Sequence, residues 1–278
     1  MVEKLIGEAF VNSVYLAEFV LFTLLAVGVY KVLFRLGHKK GENLVRGAVV
    51  LGLAVATSPL YTGESYGLLN DLEFIGIYSF ITIGLMVLGH IINDFVTFHK
   101  VRNIEEIKNG NLSLAVVEFA NIISTGLVIR AILDSYSTPD YRSVIMILFL
   151  SFLHVQFLLN LTILLYEKFY QLKKLDLREL IYHNNISAGI NLSSVYVVTA
   201  FLVVSAFNPQ NSLYETALLT VVYFVASLLV VVFFKEVVDL VIVRETTVRK
   251  IIENDNYFKA LFMEMCTISI VFVYHFLS

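Results

Sequence analysis

Residues 74–93, 143–166 and 216–234 run without a single Asp, Glu, Lys or Arg. A helix crosses a hydrocarbon core in about 20 apolar residues, so each of these stretches is long enough to span it. A membrane strand would instead alternate lipid-facing and lumen-facing side chains over about 10 positions. No such alternation is present, and in lipid only helices or closed barrels satisfy every backbone N–H and C=O. The fold class read from this is all-α, a polytopic transmembrane helical bundle. Hydrophobic residues make up 58% of the chain and charged residues 15%, against roughly 45–50% and 25% in a soluble domain. The lone Cys266 excludes an internal disulfide, and its apolar setting reads as a small buried hydrophobe. A net charge of −3 offers no electrostatic footprint for nucleic acid. The basic region, short apolar run and cleavage site of a secretory signal are missing, so the first span is expected to be kept.

Hydropathy with charged flanks predicts about eight spans, near 10–34, 44–62, 73–97, 112–133, 143–166, 186–207, 214–243 and 257–277. Of the 20 Lys and Arg residues, 17 lie in or beside the connections 35–42, 98–110, 167–184 and 244–255, Lys235 among them. Only Lys4, Arg130 and Arg142 lie toward the other face. Because Lys and Arg near span ends stay cytoplasmic, the long connections are expected to face the cytoplasm and both termini the outside. Pro59, Pro139 and Pro209 fall at or beside the outer turns, where proline punctuates helices. With no Trp, an interfacial belt has to come from tyrosines such as Tyr61, Tyr66, Tyr136, Tyr141 and Tyr214 outside and Tyr166, Tyr170 and Tyr182 inside. Residues 168–182 place Phe169, Leu172, Leu175 and Leu180 among charges and read as a segment lying along the membrane surface.

The sequence also repeats itself. Gly41-Glu42-Asn43-Leu44-x-x-Gly47, Gly110-Asn111-Leu112-x-x-Ala115, Asn184-Asn185-Ile186-x-x-Gly189 and Asp255-Asn256-Tyr257-x-x-Ala260 share one pattern. Their asparagines stand 68, 74 and 71 residues apart, each closing a charged stretch and opening an apolar one. Four two-helix units follow, approximately 1–66, 67–138, 139–211 and 212–278, forming a single transmembrane domain. Units of two spans all enter the membrane in the same direction, so the copies are parallel rather than inverted. Asn43, Asn111, Asn185 and Asn256 are expected to cap the second helix of each unit. Gly47, Ala115, Gly189 and Ala260, one turn on, are expected to mark equivalent close contacts between helices.

The segments Glu106-Ile107-Lys108-Asn109-Gly110-Asn111-Leu112 and Glu179 through Asn184-Asn185-Ile186-Ser187-Ala188-Gly189 resemble those of the YjfL-like bacterial inner-membrane proteins. That is a domain-of-unknown-function family of tandem short hydrophobic units. The resemblance implies an inner-membrane protein and brings no activity or site residues with it. The first and last units depart most, with Glu42 before Asn43 and bulky Tyr257 and Phe258 after Asn256.

Ionisable side chains inside spans are costly and mark candidate sites. Glu118 and Glu264 follow their repeat asparagines by seven and eight residues, and Asn191 holds almost the same place in the third unit. Asn121 shares a face with Glu118, Ser194 with Asn191 and Thr267 with Glu264. Glu118, Asn121, Asn191 and Glu264 are thus the candidate intramembrane polar or ion site, either a cation- or proton-binding layer or acids paired within the bundle by a neighbouring Lys or His. Asp94 and Asp239, each 17 residues before the next repeat asparagine, form a secondary acidic pair. His90 and Asp94 alone meet metal-ligand spacing, so neither a metal nor another cofactor is expected. Arg130 and Asp134, four apart, read as a local ion pair, and Glu18 has no assigned role. Nucleotide-binding, Gly-x-Ser-x-Gly and His-Glu-x-x-His motifs are all missing, and catalytic residues are not expected. Two functions stay open. The preferred one is a non-enzymatic membrane component acting through partners or lipids, with anionic lipid met by the basic loops and a homo-oligomer or membrane partner possible in principle. The alternative is a cation- or proton-linked channel or transporter using the intramembrane acids.

Overall fold

The chain folds into eleven described helices. They are α1 (Val2–Leu33), α2 (Lys40–Thr62), α3 (Leu68–Val96), α4 (Asn103–Asn109), α5 (Leu112–Tyr136), α6 (Tyr141–Leu172), α7 (Leu177–Tyr182), α8 (Ile186–Val204), α9 (Leu213–Val241), α10 (Val248–Glu253) and α11 (Tyr257–Leu277). This computed structural model describes the backbone of residues 2–62, 67–97, 103–136, 141–241 and 247–277, and the side chains of 10–61, 67–97, 103–136, 144–233, 235, 237 and 247–273. Among the described residues there is no strand, and seven helices are long and apolar enough to cross a membrane. With the 21-residue α11 this makes a polytopic helical bundle of about eight spans.

The helices divide into an inner row and an outer set. α2, α5, α8 and α11 pack side by side in that order, and α1, α3, α6 and α9 flank them. The α5 and α8 spans are each 72% buried, against 17% for α1 and 28% for α9, so these two central helices carry most of the core. Without a hydrophobic drive between helices in lipid, such a row depends on close backbone approach at small residues. A Cβ built on Gly126 of α5 would meet the Gly52 carbonyl oxygen of α2 at 2.6 Å. One built on Gly189 of α8 would meet the Ser113 carbonyl oxygen of α5, also at 2.6 Å. The expected contact residues are therefore only partly the observed ones. Ala115 and Ala260 are buried and Gly189 touches backbone, whereas Gly47 has nothing within 4 Å of its Cβ position, the α2–α5 crossing being at Gly52 instead.

The asparagine motif is a helix–turn–helix joint. α4, α7 and α10 each end with a residue at positive φ, Gly110 (104°), Asn184 (61°) and Asp255 (46°). The next N–H, that of Asn111, Asn185 or Asn256, reaches back to the carbonyl of Glu106, Leu180 or Ile251 at 2.9–3.0 Å. This is the Schellman pattern of a helix C-terminus, in which a left-handed residue lets two N–H groups turn back onto orphaned carbonyls. Each asparagine then starts the following long helix: Asn111 Oδ1 accepts from Leu114 N–H (2.9 Å), Asn185 Oδ1 from Ala188 N–H (2.8 Å) and Asn256 Oδ1 from Lys259 N–H (3.2 Å). Asn43 does not do so. α2 begins three residues earlier, at Lys40, and Glu42 turns its carboxylate back to accept from the Gly37 and Lys39 N–H groups. Unlike the other joints, the turn before α2 holds no short helix, which leaves Asn43 within the first turn of α2, donating to the His38 carbonyl at 3.2 Å.

Two of these asparagines also tie their joint to the next one along the chain. Asn111 Nδ2 donates to the Ile181 carbonyl of α7 (2.9 Å), and Asn185 Nδ2 donates to the Ile252 carbonyl of α10 (2.7 Å). In return Asn184 Oδ1 accepts from Leu112 N–H at 2.7 Å, and Asp255 Oδ1 from Ser187 N–H at 2.8 Å. Replacing Asn185 with Ala should therefore lose a cap, about 1 kcal/mol, and a buried interhelical bond of similar size. Thermal unfolding in detergent should order the variants Asn185→Ala, Asn256→Ala, Asn43→Ala from most to least destabilised, since Asn256 is exposed and keeps only its cap and Asn43 has none.

Other sequence expectations are revised by packing. The segment 168–182 is not one surface helix: Phe169 extends α6, while Leu175, Leu177 and Ile181 are buried in the bundle. Tyr166 and Tyr170 are buried too, not part of an interfacial belt, whereas Tyr214 is exposed. Pro59 sits in the last turn of α2 and Pro209 in the turn after α8. Pro139 and the side chains of Tyr66 and Tyr141 lie outside the described residues. Arg130 and Asp134 are both exposed, and no ion pair joins them among the described residues.

Candidate functional site

Glu118 projects from α5 into a wholly polar pocket. Its Oε2 lies 3.0 Å from His90 Nδ1 of α3, and its Oε1 accepts from Asn93 Nδ2 (2.8 Å) and from Asn103 Nδ2 of α4 (2.6 Å). Asn121, one turn on, reaches Oε2 at 3.5 Å. The set extends through Tyr196 of α8, which donates to Asn93 Oδ1, to Thr97, whose hydroxyl donates to Asn160 Oδ1 of α6 at 2.8 Å. All of these side chains are buried. Asp94 stands beside them on α3, with no hydrogen-bond partner for its Oδ1 among the described residues. The far edge of the His90 ring packs against Phe34 (centroids 4.4 Å apart) and Tyr30 (5.9 Å) of α1.

A second buried acid has its own set of partners. Glu264 Oε1 on α11 lies 3.1 Å from Lys235 Nζ of α9 and accepts from Asn191 Nδ2 of α8 at 2.7 Å. Lys235 also donates to Tyr166 Oη (2.8 Å), the Asn191 carbonyl (3.1 Å) and Ser194 Oγ (3.2 Å), while Tyr166 donates to Asn191 Oδ1 at 2.8 Å. The ammonium lies 4.7 Å from the Tyr166 ring centre, adding a cation–π contact. Buried charges are tolerated where each is paired and its remaining donors and acceptors are satisfied, and Lys235 meets that condition.

Of the four candidate residues, Glu118 meets Asn121 and Asn191 meets Glu264. The two pairs do not converge, since the two sets have no described residue in common. Thr267 turns to the Met263 carbonyl rather than to Glu264. Asp94 joins the Glu118 set; the side chain of Asp239 lies outside the described residues. No group of three or more His, Cys, Asp or Glu able to hold a metal occurs among the described residues. Lys235, counted by sequence with the interfacial cations, is in fact buried at the second acid.

Sequence reasoning missed the cations, although a signal was there. His90 precedes Asn111, and Lys235 precedes Asn256, by 21 residues each. The corresponding positions before Asn43 and Asn185 hold Phe22 and Leu164, and those two units lack a buried glutamate at the matching depth. Base and acid are thus both present or both absent, as expected if neither can be left alone in a low-dielectric interior.

What emerges is a multi-pass helical membrane protein in which Glu118 and Glu264 each meet one basic side chain across the two long helices of one hairpin. The Domain of Unknown Function model DUF350 matches residues 65–207 and again 140–275, and the chain belongs to that family. It is 25% identical over 225 residues, 80% of each chain, to a "UPF0719 transmembrane protein" of Aquifex aeolicus (strain VF5). No solved structure gives a significant match.

Proposed function

We propose that this protein is a non-enzymatic component of a bacterial inner membrane, acting through partners or lipids, in which Glu118 and Glu264 hold helices together rather than carry ions. The observation behind this is the separate pairing of the two acids, Glu118 with His90 at 3.0 Å and Glu264 with Lys235 at 3.1 Å. A shared transport site would bring them to one hydrated cavity. Two cavities beside α6, of 220 and 240 Å³, expose mainly apolar surface, and neither is lined by Glu118 or Glu264, although Asn160 at the edge of the Glu118 set lines the second.

The end of the bundle bearing α4, α7 and α10 also exposes Lys39, Lys40, Lys173, Lys174, Arg249 and Lys250. With that end cytoplasmic, as the positive-inside rule requires, these cations meet the anionic leaflet at about 1 kcal/mol each. Proteoliposomes of the wild-type chain are expected to pass protons and alkali cations no faster than empty vesicles. The purified protein should retain anionic phospholipid in preference to zwitterionic phospholipid, and Lys173→Gln with Lys174→Gln should weaken that preference. A cation or proton flux in the wild type that Glu118→Gln abolishes would replace this reading with transport.

A further inference from the structure

Glu18, midway along α1, is an intramembrane carboxylate away from both buried glutamate pairs and with no cation beside it among the described residues. It lies against Gly76 of α3, its Oε1 3.6 Å from the Cβ position there, and its Oε2 has no hydrogen-bond partner. The Tyr61 hydroxyl of α2, close to Glu18, interacts with the Ser79 hydroxyl of α3, and neither has a further partner among the described residues; the Ser79 side chain is fully buried. Aromatic rings of α1, α2 and α3 pack along the same seam. Tyr61 packs edge-on against Tyr15 (6.4 Å) and Phe19 (6.0 Å), and Phe22 against Phe80 at 5.3 Å. One layer toward the chain's N-terminal end, Tyr15 donates to Asp71 Oδ2 at 2.6 Å.

Among the described residues no cation faces Glu18. The titratable groups nearest it are the neutral phenols of Tyr15 on α1 and Tyr61 on α2 and, one layer away on α3, the Asp71 carboxyl that accepts from Tyr15, whereas the cations of α2 and α3, Lys40, Arg46 and His90, all lie toward the other end of the bundle. A carboxylate with hydroxyl oxygens beside it and no basic neighbour among the described residues lacks a compensating positive charge. Hydroxyl and carboxylate oxygens are hard ligands suited to a hard cation, and a carboxyl proton satisfies the same deficit. We propose that the seam of α1, α2 and α3 binds a monovalent cation, either a proton or sodium, at Glu18. The site is independent of the Glu118 and Glu264 pairs, and binding there requires no flux across the membrane.

The test is modification by a lipid-soluble carbodiimide. The protonated carboxyl adds its O–H across one C=N bond to give an O-acylisourea, which rearranges to an N-acylurea retaining the whole reagent. Leu16 and Leu21 beside Glu18 are exposed on the apolar surface, so the reagent can arrive through lipid. Peptide mass spectrometry of the wild type in vesicles should find Glu18 modified about tenfold more than Glu118 or Glu264, which are buried with cations. Modification that falls as pH rises from about 5 to about 9, with no effect of sodium, identifies the proton. Protection by sodium but not by potassium at constant pH identifies sodium, and Tyr61→Phe with Ser79→Ala should weaken that protection. Absence of label on Glu18 throughout the pH range, or labelling indifferent to both pH and sodium, would overturn the proposal.

Discussion

Replacing Lys235 with Met is expected to destabilise the protein by about 3–5 kcal/mol, among the largest effects of any single side-chain substitution in the chain. Methionine fills the volume of the lysine stem but leaves Glu264 buried with Asn191 as its remaining donor. The carboxylate must then hold its charge uncompensated or take up a proton. Tyr166 and Ser194 lose their ammonium partner at the same time. Adding Glu264→Gln removes the stranded charge, and most of the lost stability should return, because a buried pair replaced as a whole costs far less than one broken. The measurement is a double-mutant cycle on thermal unfolding in detergent, which isolates the pair from the rest of its network. Additive losses from the two substitutions would mean that Lys235 and Glu264 are not coupled. The same cycle on His90→Phe and Glu118→Gln should give a smaller coupling. Asn93 and Asn103 already donate to Glu118 and would continue to stabilise it.

The second large effect concerns backbone contact. Gly126→Val should prevent α2 and α5 from closing, since even a Cβ would stand 2.6 Å from the Gly52 carbonyl oxygen and 3.0 Å from its Cα. Those are main-chain atoms inside a helix and cannot step aside as a flexible side chain would. Overpacking of this kind costs roughly 1–3 kcal/mol where side chains can rearrange, and the upper end or beyond is expected against backbone. Gly47→Ala supplies the contrast. Nothing lies within 4 Å of its Cβ position, so the variant should gain up to about 1 kcal/mol from helix propensity alone. Size-exclusion profiles and melting curves of the two variants side by side check this. Equal behaviour would remove the α2–α5 crossing as the point of closest approach.

The asparagine motif shows where sequence and structure part. Its recurrence could be read from the residues because capping is local: a side chain two or three positions before a helical N–H needs no other part of the fold. The preceding Gly110, Asn184 and Asp255 are likewise legible as residue types that tolerate positive φ. The same reading failed at Asn43, where Glu42 supplies the cap and α2 starts earlier. Nothing local reveals that Asn111 and Asn185 also donate to carbonyls 70 and 67 residues away. That requires knowing which joint lies beside which.

The sequence by itself determined the solvent of this protein, the helices that meet it and the residues too polar to be there. Those properties follow from transfer free energy and helix length, which are summed over neighbours in the chain. Partnership was decided only in three dimensions. Whether Glu118 and Glu264 would share one site or sit apart depends on how the second helices line up, and the row α2, α5, α8, α11 keeps them in separate hairpins. Lys235 looked interfacial because hydropathy counts a lysine near a span end as solvated; packing against α8 and α11 turned it inward to a carboxylate. Tyr166 and Tyr170 followed it into the core for the same reason. The depth of a residue along a membrane helix can be counted from sequence, but the face it presents and the group it meets depend on how the helices cross.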